Sequence, residues 1–551
     1  MKEYVEAPNK PSPRCSNPEC YICRVREVEG IEIERRRDGW VFRKNGVEYG
    51  PVEDIYSLNS VEMAEKLSVD VKKAEMARLQ AYDIEVKRPL TIDELSEILG
   101  ITVKKDEENK IITFLCMLSA YTERNQFNVS FRAESSTGKS YIPLEISQLF
   151  PSEDVIKIAY SSPTAFYHER GEHDRETNVI TVNLEKKILI FLDQPHDMLL
   201  ERLRPLLSHD EKELVYKITD KREKSGLKTK TVRIIGFPSV IFCTGKLRVE
   251  DQEATRMFLL SPETSQEKIR EAIYLKMEKE SDRDAFIEWV EKNPKRKALR
   301  ERIKKIKDEK IRDVRIPNIE KIAEEFFSTR KILKPRHMRD IDRIISLIKG
   351  MALLNLWHRK RDGDIIEADE EDIEEAFKLY EAVSKAQELS IPPYVQAIYE
   401  EIILPESMKS EREGITVKEL MKLYLKRYGR PISERTIRRE IIPALLTSGL
   451  IVEEPDPEDK RKILIKPIET MENTLRSECT FLNENHINEL RSSEKICTHE
   501  LWGKEGKKTS LWRPGRGLCE FCGREVHERY AVSTKFGVRF LCRECASEAP
   551  S

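Results

Sequence analysis

The sequence predicts a multidomain α/β protein whose centre is a mostly parallel sheet with flanking helices. Three observations predict it. First, four short β-rich runs, "FNVSFRA", "DVIKIAY", "KKILIFLD" and "PSVIFCTG", fall between residues 126 and 260 with helical or polar stretches between them. Buried strands alternating with helices build parallel sheets. Second, the first run leads into Thr137-Gly138-Lys139-Ser140, the tail of a phosphate-binding loop. Third, the run "ILIFLD" ends in Asp193. Such a strand delivers a carboxylate to the sheet edge where open α/β folds bind ligands.

The remaining elements follow in chain order. Residues 1–58 read as a small Cys-containing β module, with a hairpin turning at Asn45-Gly46. Residues 59–125 read as a helical linker, in which Thr91 and Glu94 have the spacing of a capping box. Residues 126–265 hold the parallel sheet. Residues 266–385 are charged and helical, and Ile341, Ile344, Ile345, Ile348, Met351 and Ala352 make one apolar stripe. Residues 386–470 read as three helices and a hairpin, a winged helix. Its helices stop at Gly429 and Gly449, and the third starts at Ser433. Pro443 should kink that third helix. Residues 471–510 read as a linker, and 511–551 as a small domain with four paired cysteines.

Composition narrows the setting. The formal net charge of the 551 residues is −2, so a nucleic-acid surface must be a local patch. No run reaches the ~18 apolar residues of a membrane span, and none resembles a signal peptide. The expected location is cytoplasmic. There, eleven cysteines are metal ligands or core residues before they are disulfides.

A strand, a small-residue loop and an apolar helix, "YIPLEISQLF", surround Lys139 in the order a phosphate loop needs. Glu134, Ser135, Ser136, Thr137, Gly138, Lys139 and Ser140 would cradle the phosphates of ATP, with Lys139 neutralising the terminal ones. Ser140 and Asp193 would hold Mg²⁺. Ala133 stands at the loop's first position, where glycine is usual. Gln194 follows Asp193; it can orient a water but cannot take its proton. Asp197 or Glu201 could supply a base. Thr244 lies at the end of a third strand, where it could meet the γ-phosphate or the water. Arg256 in "EATRMFLLSP" and Arg339 in "KPRHMRDIDR" complete the set.

On these motifs the chain resembles the AAA+ ATPases, and among them the minichromosome-maintenance (MCM) helicases, over about residues 126–385. The order of phosphate loop, acidic strand, inserted hairpin, sensor strand, arginine finger and helical lid matches. The resemblance implies that Arg256 reaches a neighbour's ATP and that Arg339, thirteen residues before Ala352, contacts the γ-phosphate. It implies a ring oligomer, six copies by expectation, acting on single- or double-stranded DNA in replication, and a primase or other replication protein as a further partner. The chain departs from the family at Gln194, at Thr244, and in showing no large N-terminal DNA-binding domain. An ATP-switched origin initiator or helicase loader, and a non-enzymatic DNA-binding regulator, are therefore kept as alternatives.

Two surfaces are candidates for DNA. The hairpin between the acidic and sensor strands carries Lys217, Lys221, Arg222, Lys224, Lys228, Lys230 and Arg233 against Asp220 and Glu223, a net of +5. Cations on a hairpin tip bind phosphates without reading sequence. The winged helix offers Arg435, Arg438 and Arg439, followed by Lys460, Arg461 and Lys462, although such modules also dock proteins. For metal, Cys519-x2-Cys522 and Cys542-x2-Cys545 have the spacing of a structural Zn²⁺ ribbon. Cys15, Cys20 and Cys23 lack a fourth ligand nearby, and His168 and His173 are wrongly spaced for a zinc helix.

Overall fold

Five parallel strands form the central sheet, in the spatial order Met257–Leu260, Asn128–Arg132, Ser239–Thr244, Ile188–Phe191, Val155–Ile158. The computed structural model describes residues 26–468 apart from 37, 134–136, 160–171, 175–178, 194, 196, 208, 210, 221–227, 246–256, 331–332, 334–336, 390, 411–412 and 458. Beyond these it describes 511–518, 525–534 and 537–541. The chain divides into two units, Met1–Ile468 and Glu469–Ser551.

The three inner strands and the edge strand Met257–Leu260 are buried at every residue; Leu192 and Asp193, just past the acidic strand, are not. That burial is why Ile188–Phe191 and Met257–Leu260 are apolar without alternation, whereas in Asn128–Arg132 the alternate residues are polar and still buried. One face, through Val129, Phe131, Ile190, Ile241, Cys243 and Phe258, packs on helices that include Glu107–Ser119 and His337–Leu354. The other face, through Leu189, Phe191, Val240 and Phe242, packs on a second sheet. That sheet has the order Glu213–Asp220, Lys228–Ile235, Val179–Asn183, Glu172–Asp174. It contains the expected basic hairpin and a second hairpin that carries His173 on a strand, not a helix. Gly236 ends the hairpin with φ +93°, where a Cβ would lie 2.5 Å from the Glu185 backbone.

The outer edge of the sheet is sealed by a side chain. Gln387 accepts from Leu259 N at 2.9 Å and donates to Leu259 O at 2.6 Å. Its amide thus takes the place of a sixth strand.

The N-terminal strands form a four-stranded antiparallel meander, and Asn45 and Gly46 have φ of 50° and 80°, the left-handed pair a tight hairpin turn requires. Their core continues through helices Ser60–Leu67 and Val71–Lys87 to Ile84. Residues 59–125 therefore do not form one linker. Their first half closes the N-terminal sheet, and Ile92–Gly100 and Glu107–Ser119 enter the central core. Thr91 and Glu94 make the capping box reciprocally, at 3.1 and 3.2 Å. Arg302, buried and with its pKa lowered to about 9 chiefly by desolvation, donates to Val86 O, Arg88 O and Leu354 O. One guanidinium thereby satisfies carbonyls at the ends of two helices. Residues 266–385 are helical but also hold a small sheet of Asp313–Arg315, Ile365–Glu367 and Arg361–Asp362.

Residues 391–468 have their own core, three helical segments and a three-stranded sheet. Gly429 ends Val417–Tyr428 with φ +69°, and Ser433 caps the next helix by accepting from Thr436 N. Where a kink at Pro443 is expected, the helix widens into a π-turn over Ile437–Ile441. The same occurs over Tyr399–Ile403, before Pro405. A wider turn moves the carbonyl that the proline ring would strike. In Glu469–Ser551, three antiparallel strands, Leu511–Leu518, Glu525–Thr534 and Gly537–Leu541, pair in order.

Candidate functional site at the carboxyl edge of the sheet

The loop strand ends at Arg132 and hands the chain to Ala133, which is buried. Ala133 N donates to Thr244 O at 3.5 Å, joining the start of the loop to the end of the sensor strand. Lys139 turns back over the loop and donates to Ala133 O at 3.3 Å. Its ammonium also lies 3.7 Å from where a side chain on Gly245 would begin. Gly138, with φ +94° and open space at its Cβ position, supplies the left-handed turn that sets Lys139 there. Glu134, Ser135 and Ser136 lie outside the described residues; Thr137 and Ser140 are half-buried.

The sensor strand lies between the loop strand and the acidic strand. Phe242 is opposite Ser130 on one side and Phe191 on the other. Carried two residues on, this register sets Thr244 level with Arg132 and with Asp193. Thr244 is buried and Asp193 is exposed. Gln194 lies outside the described residues. Asp197 opens the helix Asp197–Leu207 that follows, and Glu201 is exposed one turn later.

Cys243, at the sensor strand's end, is buried; as an apolar-run cysteine of the sequence it reads as core. It also lies under the loop. Burial pushes its thiol up to about 12, against the opposing pull of a hydrogen bond with Ser140 and the charge of Lys139. A thiol held protonated does not compete for a metal ion.

Three elements distant in sequence therefore meet at one edge: the lysine loop, the threonine strand end and the aspartate strand end. A triphosphate placed there would find Lys139 to neutralise charge, with Ser140 and Asp193 as oxygen ligands of the kind Mg²⁺ takes. The bound ion would polarise the terminal phosphate; positioning is left to this chain.

Arg339 is not brought to that edge. It is exposed, in the first turn of His337–Leu354. One turn further, Arg343 pairs with Asp340 at 2.9 Å and donates to Met257 O at 2.9 Å. Met257 is opposite Asn128, the first residue of the loop strand. The start of this helix thus lies where the strands begin, about 15 Å of strand from the loop. Arg256, the residue before Met257, lies outside the described residues.

Sequence reasoning also missed Ser261. Its hydroxyl donates to Arg132 O at 2.6 Å and accepts from Tyr394 N at 3.2 Å. It ties the end of the loop strand to the first helix of residues 391–468. No local pattern marks it, because its partners are over a hundred residues away in both directions.

One cation of the basic hairpin is neutralised by a neighbouring acid. Arg233 is bound at both ends of its fork by Glu213, at 2.6 Å each. Lys228 is opposite Asp220 and Lys230 opposite Ile218; Arg222 and Lys224 lie outside the described residues. Arg435, Arg438 and Arg439 are exposed on the third helix of residues 391–468, with Arg438 paired to Glu434 at 2.8 Å. Asp459 pairs with Arg461 and Lys462. Cys519, Cys522, Cys542 and Cys545, like Cys15, Cys20 and Cys23, lie outside the described residues. Among the described residues no group of His, Cys, Asp or Glu is placed to hold a metal, and no helix is long and apolar enough to cross a membrane.

No protein-family model matches the chain, and no curated protein matches it in sequence. Among solved structures it is similar to a full-length MCM homolog from Methanopyrus kandleri, 11% identical, over 66% of this chain and 70% of that one, with a TM-score of 0.33. It is also similar to SCCmec type IV Cch, an active helicase, 11% identical, over 82% of this chain and 95% of that one, with a TM-score of 0.27. At TM-scores of this size neither likeness carries an argument for this chain. What stands is a mixed α/β protein with a five-stranded parallel sheet between helices and a second sheet.

Proposed function

We propose that this chain is an oligomeric AAA+ ATPase of MCM-like type that uses ATP and Mg²⁺ to translocate along, or unwind, DNA. The observation that carries the reading is the meeting of Lys139, Thr244 and Asp193 at one sheet edge, with the sensor strand inserted between the other two. That insertion gives a phosphate three kinds of partner at once: a cation, a hydroxyl and a carboxylate-held metal. Thr244 is poised to report the γ-phosphate to the sheet. Arg339, on the side where the strands begin, and Arg256 would serve a neighbouring subunit's nucleotide, where an arginine stabilises the charge of phosphoryl transfer.

Residues 391–468 are read as a winged helix and 511–551 as a zinc ribbon, both toward DNA or a replication protein. The basic hairpin is read as the element that follows the DNA backbone. The test is turnover and strand separation by wild type and Lys139→Ala. Loss of both in the variant is expected; strand separation that survives it refutes the reading. Gln194 in place of a proton acceptor favours a second reading, a slow ATP switch that loads or positions others on DNA. Hydrolysis that single-stranded DNA does not stimulate would select it.

A further inference from the structure

Helix Val417–Tyr428 carries four bases against one acid, a net of +3. Three of the bases, Lys418, Lys422 and Lys426, recur at every fourth residue and are exposed. Residues four apart on a helix stand one above the other, so the three form a row with steps of about 6 Å. None of the three has an ion-pair partner among the described residues. Glu419, the one acid of the helix, is taken up by the cap: it accepts from Thr416 N at 2.7 Å and from Thr416 Oγ1 at 2.8 Å. The fourth base, Arg427, is held by Glu401 at 2.9 Å.

Such a row is not what a high content of charge brings by itself. Helix Pro294–Asp308 holds eight bases against two acids. Yet Glu97 answers Lys295, Glu291 answers Arg300, Asp83 answers Lys305 and Asp154 answers Lys307. Nor does the row serve the fold. Like charges four apart repel across one turn, and Lys418 stands in the first turn, at the positive end of the helix dipole. A helix selected for stability alone would carry an acid at one of these positions.

We infer that the row is a docking track for the phosphate backbone of a DNA duplex. Lysine is a point charge on a flexible stem and holds a phosphate without fixing its geometry. Contacts of that kind place a strand and read no base. A duplex strand offers its phosphates in a fixed file, which a rigid helix can meet with three cations at once. An acidic protein is the poorer fit, because lysine is depleted in protein–protein interfaces. The next helix extends the positive surface with Arg435 and Arg439, both exposed and also without an ion-pair partner among the described residues. The hairpin of Ile451–Pro455 and Ile463–Pro467 adds little: Asp459 answers Arg461 and Lys462, Glu454 answers Lys466 at 3.0 Å, and Glu453 is exposed. The inference rests on the reading of residues 391–468 as facing DNA, and not on the nucleotide site.

The experiment measures binding of the full chain, without nucleotide, to a short duplex of mixed sequence by fluorescence anisotropy over a range of salt. Each phosphate contact contributes about 0.9 to the slope of log affinity against log salt, so Lys418→Gln/Lys422→Gln/Lys426→Gln is expected to flatten that slope by about 2.7. A fourfold change in salt then moves the variant's affinity roughly fortyfold less than that of wild type. Glutamine is a good helix former and removes the repulsion, so the melting temperature should not fall. Arginine at the three positions should restore the slope. An unchanged slope, a loss confined to single-stranded DNA, or a loss seen only with a polyglutamate peptide would each overturn the inference. Arg435→Gln/Arg439→Gln separates it from the wider reading. If that variant loses duplex affinity while the lysine variant binds like wild type, residues 391–468 still face DNA and the row does not hold it. If neither variant changes duplex binding, both readings fall.

Discussion

The start of the parallel strands and the turn around Lys139 are held by different chemistry. At the edge where strands begin, ions do the holding. Asp154 accepts from Tyr121 at 3.0 Å and pairs with Lys307 at 2.7 Å; Lys349 bridges Asn125 and Asp313; Arg343 joins Asp340 to Met257 O. At the edge where strands end, the turn around the phosphate loop is held by neutral acceptors: Ala133 O, Thr244 O and Arg132 O. Lys139 spends its charge on a carbonyl. A carbonyl is readily exchanged for a phosphate oxygen, whereas a buried ion pair is not readily broken. On the proposed reading, the first is built to stay as it is and the second to exchange its carbonyl for an anion.

This difference can be broken from either side. The largest effect is expected at the start edge. Asp340→Ala leaves the buried Arg343 without its carboxylate, and chemical denaturation should show a loss of about 3–5 kcal/mol. A loss under 1 kcal/mol would mean the ions there are incidental. Next is Cys243. With its thiol raised from 9.0 to about 12, its thiolate fraction at pH 8 should be about a thousandfold below that of an unperturbed cysteine. Site-resolved alkylation rates across pH 7–9 check this, and rapid labelling in the folded protein would show the loop edge to be open beneath Lys139. Lys139→Ala should lower turnover by roughly a hundredfold, the scale of one preorganised electrostatic contact, while melting temperature stays near wild type. Ser261→Ala should be the mildest, about 1 kcal/mol for its hydrogen bonds. It sharpens the comparison if nucleotide affinity falls together with protection of Tyr394 N–H from exchange.

Much of the architecture was legible because it is locally encoded. The three inner strands were among the four β-rich runs, the fourth being the half-exposed edge strand Val155–Ile158, and Asn45-Gly46, Thr91, Gly429 and Ser433 declare themselves by their backbone chemistry. Lys139 and Asp193 were legible as ends of strands. Their meeting was expected from the motifs alone; the strand order that produces it, with Ser239–Thr244 between the two, was not legible, since no local pattern encodes strand order. Arg339 was read as a partner of the γ-phosphate from the family resemblance, through its spacing from Ala352. Its edge is fixed by Arg343 and Met257 O, a contact across 86 residues. Residues 59–125 were read as one connecting stretch because their helices are individually ordinary. Only packing shows that Phe114 and Leu115 belong to the central core.

Gln387 has a consequence for how the protein behaves in a crowded cell. An open sheet with a bare outermost strand is a template on which other chains can add and polymerise. Here both exposed backbone groups of Leu259 are occupied by one amide from a helix of the same chain. At this strand, another chain would have to displace that amide before it could add to the sheet.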